Sequence, residues 1–229
     1  MSASCRREVE IGLLSTKDLI IKIRLLLENA FILKIDSVDT TALRDFIFKM
    51  HPLSEDEWDD LKRIWVPVTY KRKTLLMAAG EMEKHLYFVM DGVQRAFYVD
   101  EEHPEATIMF TYPHSFSGIA DSFLTQTPSK YFLETLTASQ LLRTTAGQVS
   151  ALMDKHHNIE RWIRKATSFA LAGTLERQIE LMSFTAEEKF RTLLKRSPHV
   201  LQLIPHKYLA SYLGLDPSTF SKLLSTVRI

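Results

Sequence analysis

Residues 206–225 read HKYLASYLGLDPSTFSKLLS, two short amphipathic segments hinged on a glycine. In the first segment Tyr208, Leu209, Tyr212 and Leu213 share one helical face, and in the second Phe220, Leu223 and Leu224 do. Both faces are predicted to meet in one core. Ala210 falls where the helices would cross, and Gly214 supplies the positive φ of a tight turn. Asp216 is predicted to cap the second helix, with Pro217 in its first turn, where the missing N–H removes no hydrogen bond. These are the mechanics of a helix-turn-helix, although the same spacing also suits a plain helical hairpin.

Local charge separates the two readings. The 229 residues carry 29 Lys plus Arg against 28 Asp plus Glu, and a net of +1 says nothing by itself about nucleic acid. From residue 185 onward, however, Lys189, Arg191, Lys195, Arg196, Lys207, Lys222 and Arg228 outnumber Glu187, Glu188 and Asp216. A basic module of this kind suits double-stranded DNA. The second helix is expected in the major groove, with Ser218, Thr219, Ser221 and Lys222 toward the bases and Lys222 the best reader of guanine. His206 and Lys207 are expected at phosphates.

Working back along the chain, residues 148–183 are predicted to form a helix about 50 Å long if unbroken. Ile159, Ile163, Ala166, Ala170 and Gly173 recur at alternating spacings of four and three, a seam where two copies could pair. Leu171, Leu175, Ile179 and Met182 form a second stripe beside it, so one stripe is free to pack on the rest of the chain. A homodimer built on the first seam is expected. Residues 63–147 carry short β-branched and aromatic runs such as HLYFVMDG and ATIMFTYP, punctuated by Gly80, Gly92 and Pro113. These predict a β-sandwich or barrel. Residues 1–62 have helical spacing in TKDLIIKIRLLLENAF (16–31) and DTTALRDFIFKM (39–50), and Ser54 precedes Glu57 at capping-box spacing.

Several functions are excluded or disfavoured by composition. Cys5 is the only cysteine, so no intramolecular disulfide, Cys-based zinc site or four-cysteine iron–sulfur cluster can form within one chain. The run LIIKIRLLL (19–27) is too short and too charged to span a bilayer, which points to a cytoplasmic protein without a membrane partner. The β region offers no close histidine pair to share a metal with a carboxylate, which argues against a jelly-roll metalloenzyme and leaves no catalytic residue to name.

The order of β-roll, long helix and helix-turn-helix resembles the Crp/Fnr superfamily of bacterial transcription regulators. The likeness is carried by AAGEMEKHLYFVMDGVQRAFYV (78–99), FSGIADSFLTQTPSKYFLETLTASQLL (116–142) and IPHKYLASYLGLDPSTFSKLL (204–224). It implies an α+β fold: N-terminal helices, a jelly roll of the cyclic-nucleotide-binding type, a dimerisation helix and a C-terminal helix-turn-helix. It also implies regulation of transcription, with RNA polymerase as a further partner, and a small-molecule effector. Relatives that bind cyclic AMP use a Gly-Glu pair and, some ten residues later, an Arg-Ser pair. This chain has Gly118-Ile119 and Ser129-Lys130 at those places, with Ala172, Gly173 and Thr174 where the helix would reach the purine. Isoleucine cannot accept a hydrogen bond from the ribose, and a displaced lysine lacks the bidentate fork of arginine. Cyclic AMP is therefore not expected as the effector, and none is named. Haem is argued against by the scatter of His85, His103, His114, His156 and His157. The alternative function is a signal-binding or scaffold protein that no longer binds DNA.

Overall fold

Two four-stranded antiparallel sheets form the centre of the molecule, in strand orders β1-β8-β3-β6 and β2-β7-β4-β5. The strands are β1 Val66–Tyr70, β2 Leu75–Met77, β3 His85–Asp91, β4 Gln94–Tyr98, β5 Ala106–Thr111, β6 Phe116–Ser117, β7 Phe132–Thr135 and β8 Ser139–Thr145. The computed structural model describes residues 39–227; the helix expected over 16–31, Cys5 and Arg228 lie outside them. Met77, Tyr87, Val89, Ala96, Leu133 and Leu141, drawn from both sheets, are buried together as the core of the roll. Gly92 turns β3 into β4 at φ +93°, and a Cβ there would lie 2.5 Å from the Ala138 carbonyl oxygen. No other residue fits that corner.

Helices α1 (Thr41–Met50) and α2 (Glu55–Arg63) precede the roll, and α3 (Ala120–Thr125) interrupts it after β6. The predicted capping box starts α2: Ser54 N donates to Glu57 Oε2 at 2.8 Å and Glu57 N to Ser54 Oγ at 3.2 Å. After β8, the single helix expected over 148–183 is two helices, α4 (Ala146–Lys155) and α5 (His157–Ser183). The chain extends at His156, φ −128° and ψ 106°. Residues far away in sequence hold this break. Asp60 of α2 meets Lys155 Nζ at 2.6 Å and His156 Nε2 at 2.8 Å, and Glu57 takes Asn158 Nδ2 at 3.1 Å. No glycine or proline marks the place, so local sequence had nothing to show.

The stripes on α5 are sorted by this arrangement. Ile159 and Ile163, predicted at a dimer seam, are buried within the chain with Trp162, and Ala166 is half-buried. Leu171, Leu175, Ile179 and Met182 are instead exposed, from 52% at Leu175 to 77% at Met182, as are Ala170 and Gly173.

The chain then forms α6 (Ala186–Arg196), α7 (Val200–Leu203), α8 (His206–Leu213) and α9 (Pro217–Thr226). A second capping box opens α6, with Thr185 N donating to Glu188 Oε2 at 2.8 Å and Glu188 N to Thr185 Oγ1 at 3.3 Å.

Candidate nucleic-acid interface and effector site

Helices α8 and α9 close on a core of Phe190, Leu194, Leu209, Ala210, Leu213 and Phe220, with the Phe190 and Phe220 rings edge to face at 5.3 Å. Gly214 ends α8 in the left-handed conformation at φ +62°. Its N–H donates to Ser211 O and that of Leu215 to Ala210 O, both at 3.0 Å, which satisfies carbonyls at the helix end. Asp216 stands at the N-cap of α9, but its carboxylate makes no capping bond. Its carbonyl accepts from Phe220 N at 3.0 Å as the first bond of the helix, so the expected side-chain cap is not made, while Pro217 stands in the first turn as anticipated.

Ser218, Ser221 and Lys222 are exposed along α9 and Thr219 is half-buried, while His206 and Lys207 are exposed at the start of α8. Ser221 Oγ donates to Pro217 O at 2.9 Å, which leaves its lone pairs to accept. Lys207 Nζ lies 4.6 Å from the Tyr208 ring centroid. Part of the positive surplus is neutralised locally, because Arg191 pairs with Glu187 at 2.8 Å and Arg196 with Glu180 at 2.5 Å. Lys195, Lys207 and Lys222 are exposed cations of the module.

Two residues of the first helix serve an interface that sequence reasoning missed. Tyr208 and Tyr212 are only half-buried and turn toward the β-roll, where Tyr212 packs on Phe110 at 5.3 Å and Tyr208 lies over Arg95. Arg177, near the end of α5, stacks on the Tyr212 ring at 4.1 Å and donates to its carbonyl. Burial pushes the Tyr212 hydroxyl up. Glu180 is itself desolvated, yet hydrogen bonds from Arg196 and Arg177 hold its carboxyl below the usual range.

The residues that the resemblance placed at an effector are dispersed. Ile119 is 4% exposed and belongs to the apolar core of the roll. Ser129 is buried in a turn, its N–H on Glu81 O at 2.9 Å and its Oγ accepting from Tyr131 N at 2.9 Å. Lys130, Ala172, Gly173 and Thr174 face solvent, and Thr174 Oγ1 donates to Ala170 O. Beside Gly118, the buried Glu83 accepts from Ile119 N at 3.3 Å and His85 N at 3.1 Å; burial raises its pKa. This carboxylate was not anticipated. An apolar cleft of about 420 Å³ does open between α3 and α5, lined by Phe46, Phe116, Phe123, Trp162, Ala166 and Phe169 among others. None of the expected effector residues lines it, and the buried Trp162 indole N–H has no hydrogen-bond partner among the described residues. Among the described residues no cluster of His, Cys, Asp and Glu could hold a metal ion, and no helix is long and apolar enough to cross a membrane.

Residues 67–156 match the family model of the cyclic nucleotide-binding domain. The fold of the described residues is similar to those solved for Crp/Fnr-type proteins, as the sequence resemblance implied. FixK2 of Bradyrhizobium japonicum superposes with a TM-score of 0.64 at 16% identity, covering 71% of this chain and 83% of that one. A protein of Eubacterium rectale described as a transcriptional regulator of the Crp/Fnr family gives 0.61 at 12% identity, with 76% and 82% covered. The catabolite activator protein of Thermus thermophilus gives 0.51 at 20%, with 79% and 85% covered. A comparison with curated protein sequences finds no match.

Proposed function

We propose that this chain is a DNA-binding transcription regulator that acts by binding rather than catalysis. The observation that carries the reading is the helix pair α8–α9, closed on a core with Phe190 and Leu194 and with Ser218, Ser221, Lys207 and Lys222 open to solvent. Such a helix enters a major groove N-terminus first, and its cations displace counterions from phosphate. A second copy is expected to cover Leu171, Leu175, Ile179 and Met182, since an exposed apolar stripe along a helix is costly in water. Two reading helices related by a two-fold axis then require an inverted repeat with half-sites about one helical turn apart. Such a regulator works in the cytoplasm beside RNA polymerase.

Cyclic AMP is not the effector in this reading. Ile119 fills core space, Ser129 is engaged by backbone, and Lys130 beside it faces solvent. The cleft between α3 and α5 suits an apolar molecule instead.

A mobility shift with genomic fragments, repeated across salt concentrations, tests the function. Binding that weakens steeply with salt and selects inverted repeats is expected. A chain that retards no fragment at low salt returns the scaffold alternative.

A further inference from the structure

The β-roll buries a cation. Arg95, in the middle of β4, is 2% exposed. Its guanidinium pairs with Glu105 at 2.5 Å and Glu134 at 2.6 Å, and donates to Thr107 Oγ1 at 3.3 Å. Its remaining surface lies against rings: the central carbon is 4.2 Å from the Phe97 centroid and 3.8 Å from that of Tyr208. Tyr208 comes from the helix-turn-helix, so a cation of the roll is covered by the reading module.

The contact continues along β5, the last strand of its sheet. An edge strand leaves backbone groups without partners. Here Ser211 of α8 supplies them, its Oγ accepting from Thr107 N at 2.9 Å and donating to Glu105 O at 3.0 Å. Further on, Tyr112 Oη and Ser197 Oγ are 3.0 Å apart, and Val93 and Leu136 of the roll share one core with Leu209 and Phe220. All of this leaves Ser218, Ser221, Lys207 and Lys222 exposed. The docked module is therefore open to DNA.

We propose that Arg95 and Ser211 form a clasp that fixes α8 on the edge of the β-roll, and that this clasp sets the angle at which α9 meets DNA. The DNA part rests on the reading above. Arg95 and Tyr208 are positioning residues in this scheme and touch no base or phosphate. Binding two half-sites at once requires both helices at a set separation, whereas one half-site does not. Loosening the clasp therefore lowers avidity and spares single-site affinity.

The test uses the full chain carrying Tyr208→Leu with Ser211→Ala, which leaves Arg95 paired to Glu105 and Glu134, and Arg95→Met as a second variant. Hydrogen exchange without DNA is expected to show faster exchange at the Thr107 amide and in α8, with the β3–β8 ladder unchanged. Affinity for a full inverted repeat is expected to fall about tenfold or more, with affinity for one half-site unchanged. Unaltered exchange overturns the clasp. Equal losses on full and half-sites, or tighter binding by the variants, overturn the positioning role, the latter by making the contact a restraint. A wild-type chain that binds no DNA sinks the DNA reading and the positioning role together, and exchange alone then judges the clasp.

Discussion

In the C-terminal module, each residue that shapes the turn lies within a few positions of the groups it serves: Gly214 closes on Ala210 and Ser211, and the Asp216 carbonyl receives Phe220. In the β-roll, Ile119 shares its core with Tyr87, Ala96, Leu133 and Leu141, from four different strands. The first region is built from short-range rules, so its chemistry survives in the order of residues. The second is assembled from distant pieces, so the place of Ile119 in its core depends on strands far apart in sequence. One fold thus carries a helix pair with exposed hydroxyls and cations and a roll in which Ile119 is packed into the core.

The largest expected effect lies in the C-terminal module. Phe220 is fully buried, so Phe220→Ala should destabilise the protein by about 3–5 kcal/mol, read from chemical denaturation. A loss below about 1 kcal/mol would mean that the module is not closed on this core. Lys222→Ala should relax preference at one base position, by about 1–3 kcal/mol of discrimination. Lys207→Ala should weaken all sequences alike and lower the salt slope. Binding selections with both variants check this, and uniform losses in both would shift sequence reading to Ser218, Thr219 and Ser221 or to DNA shape.

The comparison can be broken from the other side as well. Calorimetry should find no saturable cyclic AMP binding. Micromolar binding that disappears in Lys130→Ala would show that the lysine has replaced the arginine, and that the chamber is working.

A smaller effect belongs to the break before α5. Hydrogen bonds from Lys155, and then from His156, hold the Asp60 carboxyl at about 2, below its unfolded value near 3.9. Its contribution to stability is complete above about pH 4 and is lost as pH falls through 2. The melting temperatures of the wild type and Asp60→Asn should therefore differ at pH 6 and converge toward pH 2. A constant offset would remove Asp60 from the latch.

Local pattern was enough for some of this molecule. Glycine and proline placement, the period of apolar residues and the Ser54–Glu57 pair determine the helix-turn-helix, the strand-rich middle and the start of α2, because each depends on contacts within a turn or two of chain. Tertiary structure decided the rest. Whether Ile159 and Ile163 or Leu171 and Leu175 face outward depends on what α1, α2 and the roll cover, and both pairs are apolar in sequence. The interruption at His156 is made by Asp60, nearly a hundred positions earlier. Arg95, a lone cation inside the strand run VQRAFYV, was the one visible hint of a buried charge. Its partners Glu105, Glu134 and Tyr208 come from three other parts of the chain, and only folding brings such charges and rings close enough to compensate one another.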